Sequence, residues 1–159
     1  MVIRPRQIYF LLFFALCVGA WSFVQYYYLP TEELAEMQTI DIVLAGVNIQ
    51  ARLAVTPGEQ ARGLAGVAVL ENNEGMLFQF SPPTPVRFWN KGMIMPFDLI
   101  WIRNGRVVGW EANVPVATEG EMPLIHESGE AIDYVLELPA GWVDRYGVRI
   151  GDQTIGLLK

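Results

Sequence analysis

A chain of 159 residues with one long N-terminal apolar run leaves room for a single further domain of roughly 115–120 residues. Of its charged residues 17 are acidic and 11 basic, and two of the basic residues, Arg4 and Arg6, precede that run. The rest of the chain is therefore acidic, which argues against nucleic acid as a partner because phosphates require a basic surface. The single cysteine, Cys17, lies within the apolar run, which excludes a disulfide framework, a thiolate zinc site and a catalytic cysteine in the domain. We expect no metal and no cofactor.

The N-terminal part of the chain predicts a membrane segment. Residues 8–29 carry no charge and are long enough to span a bilayer as a helix. Arginines precede this run, and it is followed by three glutamates, Glu32, Glu33 and Glu36. Because positively charged flanks stay in the cytoplasm, we expect a single-pass anchor in the cell membrane with a cytoplasmic N-terminus and an extracytoplasmic domain. We interpret residues 1–29 as anchor or signal, 30–39 as a juxtamembrane linker and 40–159 as the domain.

Two alternatives to an uncleaved anchor remain open. A cleaved signal peptide would use Val18-Gly19-Ala20 as its small-residue cleavage site, and the domain would then be secreted. A lipoprotein signal ending at Cys17 fits less well, because Phe14-Ala15-Leu16 places bulky residues where small ones are needed. All three interpretations place the domain outside the cytoplasmic membrane.

The domain is predicted to be rich in short β-strands. Thr56-Pro57-Gly58-Glu59 matches a capping box and predicts a short helix ending near Gly63 or Gly66, and a second short helix is predicted at 142–146. Alternating apolar residues predict strands at 40–44, 47–55, 76–80, 86–89, 98–103, 106–114, 131–138 and 154–158. Residues 81–85, with three prolines, are predicted as a connector, and 115–128 as a loop. The pattern predicts a mainly β (α+β) domain, a small antiparallel β-barrel or sandwich.

Four blocks of the domain resemble a known family in order and spacing. They are Ala61–Leu64, Glu74–Phe80, Phe88–Lys91 with Ile94–Ile100, and Tyr134–Gly141 followed by Gly147-Val148 and Gly151-Asp152. Together they resemble the DUF192 family. The resemblance implies a compact β-rich domain, often exported or membrane-anchored, in bacteria or archaea. It supplies no established catalytic residues, because the function of the family is itself unknown.

The sequence departs from the family pattern at two places. Where the family has Gly-Leu-Met followed by Arg, this chain has Gly63-Leu64-Ala65-Gly66-Val67. Where the family has Phe-Trp-Met-Lys-Asn-Thr, this chain has Phe-Trp-Asn-Lys-Gly-Met from Phe88 to Met93. A ligand held by the missing Arg or Asn would be bound differently here.

The candidate site is the apolar stretch from Phe88 to Ile100, which holds Lys91 and Asp98. Burying an unpaired charge is costly, so these two residues should pair, reach solvent through a cleft, or meet a ligand. One interpretation is a structural ion pair that closes the loop between them. The other is a site in which Lys91 contacts an anion or carbonyl and Asp98 orients it. The candidate ligand-binding residues are Arg87, Trp89, Asn90, Lys91 and Asp98.

Other chemistry-bearing residues have a structural interpretation. Several aromatic residues could form a platform for flat ligands, but we expect them to be core residues: Trp89, Trp101, Trp110 and Trp142 with Phe88 and Phe97. Ser128 near His126 lacks the surrounding frame of a hydrolase nucleophile. Glu111 and Glu137 lie in apolar strands whose alternation would point them to the solvent face.

These observations favour a membrane-tethered extracytoplasmic domain that serves as a ligand-binding or accessory module of the cell envelope. Its partners would be the membrane, through residues 8–29, and a small-molecule or envelope ligand. One alternative is an envelope-acting hydrolase or transferase that uses Asp98 and Lys91. Another is a structural domain of a membrane complex with a membrane-protein partner.

Overall fold

The computed structural model describes residues 36–118 and 120–157, and these begin with a β-hairpin. Strands β1 (Thr39–Leu44) and β2 (Val47–Ala54) pair antiparallel. Helix α1 (Pro57–Arg62) follows. It starts with the predicted capping box, in which Thr56 Oγ1 accepts from Glu59 N–H at 3.2 Å and Glu59 Oε2 accepts from Thr56 N–H at 2.8 Å. Gly63 ends it, as predicted.

The remaining elements are short strands and one more short helix. They are β3 (Glu74–Thr84), β4 (Arg87–Trp89), β5 (Phe97–Arg103), β6 (Arg106–Val114), β7 (Ile125–Glu127), β8 (Ile132–Pro139) and α2 (Trp142–Tyr146). The mainly β class with two short helices is thus confirmed for the described residues.

The strands form a mixed six-stranded sheet and a separate two-stranded ribbon. The order in the large sheet is β1-β2-β3-β8-β5-β6, and β4 pairs with β7 in the ribbon. All these pairs are antiparallel except β2 with β3, which run parallel. The predicted all-antiparallel arrangement is therefore wrong at this pair. A strand that runs parallel to the one before it must begin at the same end of the sheet, so the chain has to return there first. Helix α1 and the segment after it make this return between β2 and β3.

The described strands do not close into a barrel. Strands β1 and β6 are the two edges of the sheet. The C-terminal segment lies against both edges, through isolated bridges from Ile155 to Val43 and from Gln153 to Arg106. Closure would need a continuous ladder between the edge strands, and the predicted last strand at 154–158 is reduced, over its described part, to a bridge at Ile155.

The two faces of the large sheet are covered differently. On one face, alternate residues such as Leu77, Ile100 and Leu136 pack with α2 residue Trp142 in the main hydrophobic core. The opposite face carries Phe78 and Glu137. Helix α1 and the β4 segment, which we define as residues 86–93, lie over it. The central strand β8 is therefore covered on both faces, which accounts for the unbroken burial of its residues 134–138.

Two local predictions also need correction. Residues 81–84 of the proline-rich stretch expected to form a connector belong to the end of β3, although the register of β3 with β8 shifts between Gln79 and Thr84. The residues are exposed and the ladder is interrupted there, which is how prolines are tolerated. The predicted loop at 115–128 contains β7, which pairs with β4 residue by residue.

The predicted membrane segment at residues 8–29 lies outside the described residues. Within the described part of the chain, no helix has the length and apolar character needed to cross a membrane.

Candidate functional site

A cavity of about 360 Å³ lies between the C-terminal end of α1, the β4 segment and the face of the sheet that carries Glu137. This volume falls within the range of small-molecule pockets. Its walls are apolar and aromatic side chains, with four ionisable residues among them: Arg62, Arg87, Lys91 and Glu137. A concave, mostly apolar space with a few polar groups is the usual form of a ligand site.

Hydrogen bonds hold the two walls of this cavity in place. Gln60 Nε2 donates to the Gln79 carbonyl at 2.7 Å and fixes the last turn of α1 against β3. Beyond the helix, Gly66 N–H donates to the Gly92 carbonyl at 3.0 Å. The segment after α1 is thereby joined to the turn after β4, and the cavity lies between them.

Gly63 brings the chain close to the base of the cavity. Its φ of 54° and ψ of −137° lie in a region that residues with a side chain rarely adopt. A Cβ at this position would lie 3.3 Å from Phe78 Cζ and 3.4 Å from Glu137 Oε2. A glycine here therefore lets the backbone pass over the Glu137 carboxyl group.

Glu137 is a buried acid with one oxygen that lacks a protein partner. The residue is 3% exposed, and the Leu64 N–H donates to its carboxyl group. Its Oε2 has no hydrogen-bond partner among the described residues. Burial raises the pKa of Glu137 to about 8, and the hydrogen bond from Leu64 offsets that rise only in part. At neutral pH the group is mainly a neutral carboxylic acid, which can donate one hydrogen bond and accept others.

Aromatic rings form the apolar wall of the cavity around Phe88. Its ring packs edge-on against Phe78, with centroids 4.8 Å apart, and against Phe80 at 6.5 Å. Trp101 contacts the same ring from the sheet, with centroids 5.8 Å apart. These edge-to-face contacts fix the ring positions. Trp89, by contrast, is 52% exposed at the cavity, with Lys91 Nζ 5.8 Å from its ring centroid.

Three of the five residues predicted to bind a ligand line this cavity, namely Arg87, Trp89 and Lys91. Arg87 also pairs with Glu127 on the neighbouring strand β7, at 3.0 Å, with both side chains largely exposed. Ligand binding by these residues stays a prediction.

Asn90, the fourth predicted residue, is buried and joins two backbone segments. Its Nδ2 donates to the Pro115 carbonyl at 2.8 Å, and its Oδ1 accepts from Leu124 N–H at 2.9 Å. Asn90 therefore anchors the chain between β6 and β7 beneath β4.

Asp98, the fifth predicted residue, is fully buried, and its carboxylate accepts hydrogen bonds from backbone N–H groups. Its Oδ1 accepts from Asn113 N–H at 2.7 Å and from Gly141 N–H at 3.1 Å, and its Oδ2 accepts from Val143 N–H at 2.8 Å. The carboxylate thus caps the start of α2 from a neighbouring strand, where helix N–H groups need acceptors. The ion pair between Lys91 and Asp98 is absent, because Asp98 uses these donors and Lys91 lies exposed at the cavity.

Several cavity residues were not anticipated from the sequence. Glu137 was expected on a solvent face, yet β8 lies between β3 and β5 with both of its faces covered. A glutamate between Leu136 and Leu138 in a continuous apolar run was the available signal for a buried strand. Arg62 gave no such signal, since its place in the cavity depends on long-range packing, whereas Met93 lies within the predicted stretch from Phe88 to Ile100.

Two other kinds of site were considered among the described residues, a serine nucleophile at Ser128 and a metal site. Ser128 Oγ accepts from Val86 N–H at 3.1 Å and donates to the Glu130 carbonyl at 2.7 Å, which ties β4 to the end of β7. Within residues 36–118 and 120–157, no three or more His, Cys, Asp or Glu side chains are grouped so that they could hold a metal ion.

The fold and the cavity define a small, mainly β domain with a ligand-sized space beneath a short helix. The chain belongs to the DUF192 family, described as an uncharacterized ACR, whose model matches residues 40–155. No curated protein matches the sequence.

Two crystal structures have a similar fold. A protein of unknown function from Novosphingobium aromaticivorans DSM 12444 matches with a TM-score of 0.69 and 29% identity, over 76% of this chain and 87% of that one. A protein of Sinorhizobium meliloti 1021, provisionally named a transcription regulator, matches with a TM-score of 0.67 and 32% identity, over 74% of this chain and 92% of that one.

Proposed function

We propose that this chain is a membrane-tethered, extracytoplasmic binding module of the cell envelope that holds a small molecule in the cavity over Glu137. The observation that carries the proposal is the unpartnered Oε2 of Glu137, a residue that is 3% exposed and lines a cavity of about 360 Å³. A buried polar atom without a partner is unfavourable by roughly 1–3 kcal/mol, and a ligand that supplies a hydrogen bond removes that penalty.

The positions of the segments that resemble the family also support binding in this cavity. Each of the four blocks that resemble the family contributes to the cavity: Ala61–Leu64, Phe78 with Phe80, Phe88 with Trp89 and Lys91, and Glu137. These segments are far apart in sequence and come from different elements. Their convergence on one space is what a binding site built by the fold would produce.

The proposed location outside the cytoplasm rests on the N-terminal sequence. An uncharged run at residues 8–29, arginines before it and glutamates after it favour an anchor that exports the domain. A cleaved signal would also export the domain but release it.

An enzyme that uses Asp98 and Lys91 is the less favoured alternative. Both Asp98 oxygens accept hydrogen bonds from backbone N–H groups, and the side chain is fully buried. A general base or nucleophile must reach its substrate, so this carboxylate is better suited to holding α2. A purely structural domain in a complex with a membrane protein is the other alternative, and it gives no reason for an open cavity with an unpartnered acid at its base.

Small molecules are also favoured over nucleic acid as the bound partner. Once Arg4 and Arg6 are set aside, nine basic residues face 17 acidic ones in the remainder of the chain. A surface of this balance repels a phosphate backbone. The name of the Sinorhizobium meliloti protein is therefore not carried over to this chain.

The binding proposal is tested with small aromatic probes and a blocked cavity. We expect at least one probe from a set of neutral, anionic and cationic naphthalene derivatives to bind the full chain in detergent micelles, measured by calorimetry. Ala61 lines the cavity at the exposed last turn of α1, and Ala61→Trp should abolish binding. Ala68→Trp, at an exposed position that does not line the cavity, is the matched control. Binding that survives Ala61→Trp would place the ligand elsewhere, and no binding by any probe would contradict the proposal.

The export proposal is tested with a reporter that folds only outside the cytoplasm. Alkaline phosphatase fused after Lys159 should be active in cells and remain in the membrane fraction. The same fusion without residues 1–29 should be inactive. Activity that does not depend on residues 1–29 would contradict export by this segment, and an active fusion in the soluble fraction would support the cleaved signal instead.

A further inference from the structure

The charged residues at the cavity differ from those of the chain as a whole. Three basic residues line it, Arg62, Arg87 and Lys91, and Glu137 is its one acidic lining residue among those the structure describes. Elsewhere acidic residues outnumber basic ones. Because like charges repel strongly in a space with low-dielectric walls, this lining disfavours a cationic ligand.

The uncharged walls of the cavity fit a flat apolar group. Phe78, Phe80 and Phe88 form an edge-to-face cluster on one side, and the half-exposed ring of Trp89 stands at the opening. Leu64, Val86 and Met93, all buried, add further apolar side chains to the lining. Aromatic side chains in this arrangement offer faces and edges to a planar group.

We propose that the cavity selects a small organic anion, a carboxylate on a flat apolar body, whose carboxylate faces the Glu137 carboxyl group and the basic residues of the lining. This inference rests on the proposed binding function and adds the chemical class of the ligand. The neutral form of Glu137 donates its proton to a carboxylate oxygen of the ligand, a short charge-assisted hydrogen bond, and gives Oε2 the partner it lacks.

Glu137 can take this role only while it is protonated. The neighbours of Glu137 in register are Met76 on β3 and Leu99 on β5, neither of which titrates. The charged or titratable groups of the other elements packed on this face are Arg62 and Glu59 from α1, Arg87 and Lys91 from the β4 segment, Glu111 from β6, and His126 and Glu127 from β7. Glu59 is bonded to the backbone at the start of α1, and Glu111 Oε2 lies 3.5 Å from His126 Nδ1. Arg87 pairs with Glu127 at 3.0 Å. The lining still carries three basic residues against one acid that is mainly neutral, so its net charge favours an anion.

The class of ligand is tested with three probes of one shape and different charge. At pH 6.5 we compare binding of 2-naphthoate, 2-naphthamide and 2-naphthylmethylammonium to the full chain in detergent micelles. We expect 2-naphthoate to bind at least tenfold more tightly than either of the others. Equal or tighter binding of the amide or the ammonium would overturn the anion proposal and leave the binding function standing. Failure of all three would overturn both.

The role of Glu137 is tested by the pH dependence of 2-naphthoate binding. Because binding requires the protonated acid, the Kd should rise about tenfold per pH unit above about 8. Glu137→Gln keeps a hydrogen-bond donor without a titrating proton, so its Kd should change less than threefold between pH 6.5 and 9.5. A wild-type Kd that does not change over this range would overturn the role of Glu137, whether or not the variant folds.

The role of the basic lining is tested at two exposed arginines. Arg87→Ala removes a positive charge from the cavity, and Arg149→Ala removes one at an exposed position outside its lining. We expect Arg87→Ala to weaken 2-naphthoate binding about three- to tenfold and to leave 2-naphthamide binding unchanged. Equal effects of the two substitutions on 2-naphthoate would contradict a local contribution from the lining.

Discussion

Glu137 shows how a single side chain acquires its chemistry from the elements around it. Strands β3 and β5 flank it, Gly63 passes over its carboxyl group, and the Leu64 N–H supplies one hydrogen bond. Water is excluded from the acid, and its charged form is therefore disfavoured. A residue kept in this state is unfavourable for stability, and it is the kind of group that functional sites retain.

The first test at this scale is the pH dependence of stability in Glu137→Gln. Burial raises the pKa of Glu137 to about 8 from an ordinary value of 4.5, so the folded chain keeps a proton that the unfolded chain releases between these values. Stability is therefore lost in wild type as the pH rises through this range. We expect the free energy of unfolding of Glu137→Gln, relative to that of wild type, to increase by roughly 3–5 kcal/mol as the pH rises from 4.5 to 8. Urea unfolding followed by tryptophan fluorescence measures this, and a constant difference across the range would contradict the buried acid.

Asp98 is expected to behave as a structural residue. The two carboxylate oxygens of Asp98 accept from three backbone N–H groups, and Asp98→Asn replaces one of these oxygens with an NH₂ group that cannot accept. We expect a loss of roughly 2–4 kcal/mol in the free energy of unfolding, because buried donors lose their partner. Asp41→Asn, at an exposed position on β1, is the control and should change stability by less than about 0.5 kcal/mol. A stable Asp98→Asn chain would show that the carboxylate has another role.

At the scale of elements, the end of α1 determines the depth of the cavity. Gly63→Ala introduces a Cβ against Phe78 and Glu137 at a backbone conformation that favours glycine. We expect a loss of roughly 1–3 kcal/mol in the free energy of unfolding. Gly58→Ala lies in the same helix with nothing within 4 Å of its Cβ, and should stabilise the chain by about 0.5–1 kcal/mol. Equal effects of the two substitutions would contradict the close approach at Gly63.

The C-terminal segment is the element that links the two edges of the sheet. A Cβ on Gly156 would meet the Asp41 carbonyl oxygen, whereas a Cβ on Gly151 would meet nothing within 4 Å. The two glycines share nearly the same φ, 91° and 93°, so alanine imposes a similar backbone strain at both. We expect Gly156→Ala to destabilise the chain by about 1 kcal/mol more than Gly151→Ala, measured by urea unfolding. No difference between them would show that the segment does not lie against β1.

At the scale of the whole molecule, local signals in the sequence predicted most elements. The capping box of Thr56 and Glu59 begins α1, and Asn104-Gly105 forms the hairpin between β5 and β6 with positive φ at both residues. These features depend on residues close together in sequence. Interactions between residues close in sequence were therefore sufficient to predict both features.

The arrangement of the elements could not be read in the same way. The parallel pairing of β2 with β3 and the central place of β8 depend on long-range contacts, and the buried state of Glu137 follows from them. Of the residues in the predicted site, Trp89 and Lys91 line the cavity, and their binding of a ligand stays a prediction. Asp98 was grouped with them because the three residues are close in sequence, and it does not line the cavity. In the fold, the side chain of Asp98 caps the start of α2, and Arg62 and Glu137 line the cavity.

The cavity as a binding site is the central claim, and the methionines of the chain give a direct test. Met93 lines the cavity and is 6% exposed, whereas Met122 is 91% exposed. The full chain labelled with ¹³C at the methionine methyl groups can be titrated with 2-naphthoate in detergent micelles, with Met93→Leu and Met122→Leu to assign the two resonances. We expect the Met93 resonance to shift to a saturating limit while that of Met122 stays in place. A Met93 resonance that does not move, or that moves no more than that of Met122, would contradict binding in the cavity.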